Sequence, residues 1–255
     1  MSSECVFCRA GLTGTAAEEH IFPQWLLDYL GIPKTEQMFQ GVGNEATLDT
    51  DDERGRVHGT WRFVEGRVCR TCNTGWLSDL ENDVRPGLEV LIKNAGRLIA
   101  LTRAQRLLLA RWAAKTAFLI ANVSPFKRPV PPGHLWAMNN GGSVPDGVTV
   151  FGGQSGTSTK TAYLQSTMWK QYHRRGVGVR VGAVTNAYKI GFQIMDLMLL
   201  AAFVPQSGVE FITAAGVHIP LNPQEQLWPC GHAEMPDKEQ PPLWIFTRSL
   251  SVLVS

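Results

Sequence analysis

The chain has no apolar run long enough to cross a bilayer. Its longest, IMDLMLLAAFV at 194–204, falls far short of a span and is broken by Asp196, so no membrane partner is expected. The opening MSSECVFCRAGLTG lacks a basic start followed by an apolar block, which argues against a secretory leader and for a reducing cytoplasm. Cysteine is scarce, five in 255 residues, and without a secretory context a disulfide framework is disfavoured. Acidic residues nearly vanish from one third of the chain: residues 101–190 hold 12 Lys/Arg against 1 Asp/Glu, whereas 1–100 hold 10 against 15 and 191–255 hold 2 against 6. The formal net charge of +2 hides that asymmetry. No internal repeat or low-complexity tract appears. What remains, 44% hydrophobic and 18% charged, describes a soluble globular chain able to bury one large core or two modest ones.

Four of the five cysteines form two C-x-x-C pairs, Cys5/Cys8 and Cys69/Cys72. Thiols two residues apart can point into one tetrahedral site, and two such knuckles complete a zinc sphere. A redox dithiol is the other chemical reading of the spacing. Cys230, in WPCGH, stands alone and reads as an ordinary partly buried thiol.

Pattern divides the chain near residue 100. A strand is expected around Ala17 to Phe22, then a short apolar segment from Gln24 to Leu30 closed by Gly31-Ile32-Pro33. Glycines and the acidic DTDDE cluster mark Thr35 to Gly59 as a long loop or insertion. WRFVEGRVC reads as strand-like residues delivering Cys69, and Trp76, Leu77, Leu80 and Val84 then recur at helical spacing. Pro86 is expected to open a further short helix ending at Asn94-Ala95-Gly96. Thr102 and Gln105 form a capping-box pattern before RLLLARWAAKTAFLIANV, a central packing helix stopped by Ser124-Pro125. PVPPGHLW, VFGGQSGTS, VGVRVGAV and KIGFQIMDL suggest strands joined by glycine turns, so residues 125–255 read as mainly β.

Between the knuckles lies EEHIFPQWL, with Glu19-His20 at the mouth of an apolar segment. One zinc tying both cysteine pairs would draw the strand bearing His20 and the helix beginning near Asn73 onto one scaffold. A histidine, a neighbouring carboxylate and a side-chain amide suit phosphodiester hydrolysis with one divalent ion. Imidazole takes a proton from water near neutral pH, and carboxylate and amide oxygens are hard ligands for Mg²⁺ or Mn²⁺.

With Cys5-x-x-Cys8, Glu19-His20-Ile21-Phe22-Pro23-Gln24-Trp25-Leu26, Val68-Cys69-x-x-Cys72-Asn73-x-Gly75-Trp76-Leu77 and Leu80-Glu81 in this order, the chain resembles the HNH endonucleases of the ββα-metal fold, in the branch with a four-cysteine zinc frame. The resemblance spans roughly the first 90 residues. It implies that His20 is the general base, that Glu19 stands where the family has an aspartate metal ligand, and that Asn73 stands where it has a final His or Asn. It also implies a setting in restriction, phage defence or mobile elements. Three features depart from the pattern: Glu replaces Asp at position 19, the interval between His20 and Cys69 is long, and the second strand has no middle asparagine, for which His58 is a candidate replacement. Glu81, far along the helix from Asn73, is expected to make an ion pair rather than share the metal.

The expected fold is therefore α+β: a zinc-stabilised HNH nuclease unit over 1–100, then a central helix and a β-rich unit over 101–255 with a nucleic-acid-binding, sensing or assembly role. Lys127, Arg128, Lys170, Arg174 and Arg175, with Trp169 and Tyr172 among them, are candidate contacts to nucleic acid, DNA being favoured over RNA. A set of solvated faces is the plainer reading of that charge. Two other function classes stay open: a non-catalytic zinc module that binds nucleic acid, and a ligand-sensing protein with a nuclease output. The oligomeric state is open, a homodimer included.

Overall fold

Cys5 and Cys8 sit on a tight knuckle that a bridge between Glu4 and Gly11 closes, with the Cys5 N–H donating to Ala10 O at 2.8 Å and the Arg9 N–H to Cys5 O at 2.9 Å. In this computed structural model, residues 4–43, 58–94, 100–124, 130–154, 160–166, 168–172, 179–183, 187–203 and 226–228 are described. The knuckle leads into β1 (Ala16–His20), which pairs antiparallel with β4 (Val64–Cys69) so that Ala16 faces Cys69 and His20 faces Val64. An irregularity between Ala17 and Glu19 shifts the register, and a bulge of this kind re-aims the side chains beyond it. Helix α1 (Gln24–Tyr29) follows Pro23 and buries Leu26 and Leu27. Gly31 stops it at φ +63, a conformation that costs glycine nothing.

Strand β2 (Gln37–Gly43) lies within the stretch expected to be a long loop. It pairs antiparallel with β3 (His58–Gly59) and parallel with β6 (Thr161–Ser166), so the insertion supplies a strand to the main sheet. Alternation was hard to read there because glycines at 41 and 43 interrupt the apolar pattern. A single 3₁₀ turn, Thr60–Arg62, leads into β4 and bonds its Thr60 hydroxyl to that of Thr161 at 3.0 Å.

After β4 the chain makes one helical turn, α2 (Arg70–Cys72), kinks within Asn73–Leu77, where Gly75 leaves the helical conformation, and continues as α3 (Ser78–Lys93). Pro86 lies inside α3, where a new helix was expected to start. Proline removes the hydrogen bond to the carbonyl of Asn82, but both residues are exposed and water can satisfy that oxygen. The apolar stripe of Leu80, Val84, Leu88 and Leu91 runs on without interruption, which keeps the helix whole.

Helix α4 (Arg103–Val123) opens with the expected capping box, Thr102 with Gln105, and ends at Ser124. Its middle is buried all round, and Ala110, Ala113, Ala114, Ala117 and Ala121 let neighbouring backbones come close. Helix α5 (Pro132–Gly141) is a second correction, because PVPPGHLW was expected to be strand. Pro132 begins it, where a missing N–H is harmless, and Gly142 ends it at φ +63.

The remaining strands are β5 (Val148–Gln154), β7 (Met168–Tyr172), β8 (Val179–Ala183), β9 (Tyr188–Ile194), β10 (Leu197–Phe203) and β11 (Gln226–Trp228). Among the described residues, seven strands form one sheet in the order β11-β5-β10-β9-β6-β2-β3, while β7 pairs with β8 separately. Asp196, which breaks the long apolar run, falls in the two-residue turn joining β9 to β10. The fold is thus mixed helix and strand, α+β, with the two small antiparallel sheets β1-β4 and β7-β8 beside the larger one. One apolar core runs from Phe7 and Leu26 through α3 and α4 to Phe192 and Leu199, so it crosses residue 100, as the main sheet does. On one side of α4, Trp112 meets Phe192 edge-on at 5.9 Å and Phe118 meets Tyr188 at 5.8 Å. On another, α4 packs on α3 and β4.

Candidate metal centre and hydrolytic site

The hairpin and the knuckle bring all four paired cysteines together. The Sγ atoms of Cys5, Cys8, Cys69 and Cys72 lie within 4.8 Å of one another, and those of Cys8 and Cys69 are 3.6 Å apart. Ligands about 2.3 Å from a tetrahedral zinc stand roughly 3.8 Å from each other, so the spacing and the soft donor set fit that ion. Among the described residues no other group of three or more His, Cys, Asp or Glu gathers in this way. The Cys69 N–H donates to Cys5 Sγ at 3.3 Å and the Cys72 N–H to Cys69 Sγ at 3.4 Å, the donor pattern that stabilises thiolates. Burial, then the neighbouring Cys69, pushes the Cys72 thiol far up, and burial likewise raises Cys8. At Cys5 burial also opposes the thiolate, but the N–H groups of Cys8, Cys69 and Phe7 outweigh it and bring the thiol down. Crowded thiolates repel, and a bound cation removes that penalty. Phe7 closes one side, edge-on to Trp76 at 4.9 Å.

Strand alternation explains where Glu18, Glu19 and His20 go. Glu18 is exposed, Glu19 is buried and His20 is half-buried. The His20 Nε2 lies 2.9 Å from the side-chain nitrogen of Gln24, in the first turn of α1; with the amide donating, the ring proton sits on Nδ1. Asn73, directly after α2 and before the kink, donates from Nδ2 to the carbonyl of Glu18 at 3.0 Å. That bond braces the strand carrying His20 and turns Oδ1, the atom suited to a hard cation, the other way. His58 lies on β3 opposite Met38, in the large sheet rather than in the β1-β4 hairpin.

Glu19 meets a partner that composition and spacing did not single out. Lys115 Nζ donates to Glu19 Oε1 at 2.9 Å and to Glu81 Oε1 at 3.1 Å, with its own side chain wholly buried. The ion pair expected of Glu81 is therefore present, and its partner comes from α4. Burial alone would strip the proton from Lys115, but Glu19 and Glu81 outweigh it and raise its pKa. Burial, partly offset by Lys115, raises the Glu81 carboxyl, with the charge of Glu19 adding to the rise. Deleting one partner of a buried pair strands the other, typically at about 3–5 kcal/mol. Seven residues further along α4, Asn122 donates to Glu65, which also accepts from the Arg67 N–H at 2.8 Å. Glu65 faces Glu19 across the hairpin, so α4 grips both strands through polar side chains. The sequence signal for this was a single lysine in an otherwise apolar helix centre.

Of the basic candidates, Lys127, Arg128, Arg174 and Arg175 lie outside the described residues, as does Cys230. Lys170 belongs to β7, its backbone opposite Val181.

Comparison of the chain with protein-family models, with curated proteins and with solved structures finds no match. Four cysteines placed to bind one metal ion are what the structure defines.

Proposed function

We propose that the chain is a metal-dependent endonuclease of the HNH kind, hydrolysing phosphodiester bonds of nucleic acid, with DNA the favoured substrate. The observation that carries this reading is the placement of Asn73 against the end of β1, its amide bonded to the backbone of Glu18 beside Glu19 and His20. The imidazole of His20 takes the proton of the attacking water at Nε2, the water displacing the Gln24 amide that holds that nitrogen here. Glu19 and Asn73 would hold a divalent ion through hard oxygen donors, a small set that suits Mg²⁺ because it keeps several waters. Such an ion supplies charge stabilisation at the phosphate and the leaving oxygen. Structural zinc at Cys5, Cys8, Cys69 and Cys72 fixes the hairpin against the helix start. Defence against phage, restriction or mobility of a genetic element is the setting that suits this activity.

A second reading draws on the ion pair that already satisfies Glu19. A zinc module that binds nucleic acid without cutting it would keep that pair for stability alone. Incubating the full chain with plasmid, linear DNA and RNA, each with Mg²⁺, Mn²⁺ or chelator, separates the two. His20→Ala is expected to lower metal-dependent cleavage by about 10²–10⁴ while zinc content and nucleic-acid binding stay near the parent's. Glu19→Ala and Asn73→Ala should instead raise the Mg²⁺ or Mn²⁺ concentration needed for half-maximal cleavage. Parental cleavage by His20→Ala removes the base assignment, and no cleavage by the parent under any metal condition favours the binding module.

A further inference from the structure

Lys115 is the one charged side chain among the buried residues of α4. An unpaired buried ammonium is costly enough that it ordinarily loses its proton. Here two carboxylates from two different elements, Glu19 of β1 and Glu81 of α3, keep it charged. Lys115 engages Glu19 through Oε1, at 2.9 Å, with the Glu19 side chain only 7% exposed. Glu81, 22% exposed, is the partner that opens toward solvent. A glutamate has three rotatable side-chain bonds, and an ammonium clamped behind it removes most of that freedom.

We infer that Lys115 is a positioning residue of the proposed hydrolytic site: it fixes Glu19 by one carboxylate oxygen so that the other faces the divalent ion, and it sets the charge of the Glu19–Lys115–Glu81 group. This rests on the hydrolytic reading. With both carboxylates ionised the group carries one net negative charge, and without Lys115 it carries two. Removing the ammonium therefore pulls in opposite directions. The more negative pair attracts a dication harder, while the released carboxylate no longer holds that dication where the chemistry needs it. A merely structural loss would weaken both properties together.

The test uses the zinc-loaded full chain near pH 8.5, chosen to keep carboxylates ionised. Free Mn²⁺ is followed by electron paramagnetic resonance, and plasmid cleavage is measured alongside. Lys115→Met is expected to bind Mn²⁺ at least about fivefold more tightly, from the charge it removes. Its kcat should fall about 10²-fold with KM for plasmid within about twofold, as for a misplaced reacting group. The double variant Lys115→Met/Glu81→Gln restores the parental net charge, so Mn²⁺ affinity should return to the parent's while kcat stays low. A folded Lys115→Met with parental kcat and parental Mn²⁺ affinity overturns the inference, and so does one that loses both together. Should the single variant fail to fold, the charge-balanced double variant decides, and parental turnover there overturns it. A parent that binds Mn²⁺ yet cuts no nucleic acid sinks the hydrolytic reading alone, leaving Lys115 to be judged by the affinity shift. A parent that binds no Mn²⁺ overturns both.

Discussion

His134, on α5, shows at the scale of one residue how burial sets a pH limit on the fold. Its Nδ1 lies 2.8 Å from the Tyr188 hydroxyl, inside an aromatic group with Phe118 and Phe203. Burial holds the imidazole below its usual 6.5, and burial raises the Tyr188 hydroxyl, so a neutral ring meets a protonated phenol. The unfolded chain takes up the His134 proton at a higher pH than the fold does. The stabilising contribution of the neutral ring is therefore complete above about 6.5 and is lost as pH falls from there through the folded value. Between about pH 7.5 and 5.5, thermal unfolding of the parent should lose more of its midpoint than that of His134→Gln, and equal losses would sink the assignment. Single residues were unevenly legible in the sequence. The paired cysteines announced themselves by spacing, whereas His134 and Lys115 owe their roles to partners 54 and 96 positions away in the chain, which no local pattern encodes.

Among the elements, ends were easier to read than interiors. Thr102 with Gln105 marks the start of α4 because the cap is a local chemical requirement, and both of its bonds are present, at 2.9 and 3.2 Å. Pro86 and the prolines before α5 misled for the same physical reason in opposite senses. Proline is compatible with a first turn and costly inside a helix, but tertiary packing of the stripe through Leu88 and Leu91 overrides that cost. The knuckle is the element with least support of its own, since Phe7 and Leu12 are its buried apolar residues beside Cys5. About one zinc per chain is expected by elemental analysis, and Cys69→Ser or chelation should lower the unfolding midpoint by about 5 °C or more. A metal-free chain of full thermal stability would refute the zinc frame.

For the whole molecule, charge and topology lead to different kinds of expectation. The acid-poor segment 101–190 supplies β5 to β8 and the start of β9, as well as α4 and α5. If its cations hold phosphates, replacing Lys127, Arg128, Arg174 and Arg175 together should flatten the salt dependence of nucleic-acid binding, by about one unit of slope for each phosphate no longer neutralised. An unchanged slope would return that charge to solvated faces and favour a sensing or assembly role for the β-rich part. The α+β class was legible because strand-like and helix-like periods alternate along the chain, but the parallel pairing of β2 with β6 was not, since it joins stretches more than 100 positions apart. The buried bridge from Lys115 to Glu19 has a consequence in time as well as in space. A chain emerging from the ribosome has every thiol of its four-cysteine cluster once Cys72 is out, yet Glu19 and Glu81 still wait for the lysine that joins them. The bridge is thus timed by the arrival of α4, and a growing chain can gather its four cysteines before its carboxylates are set.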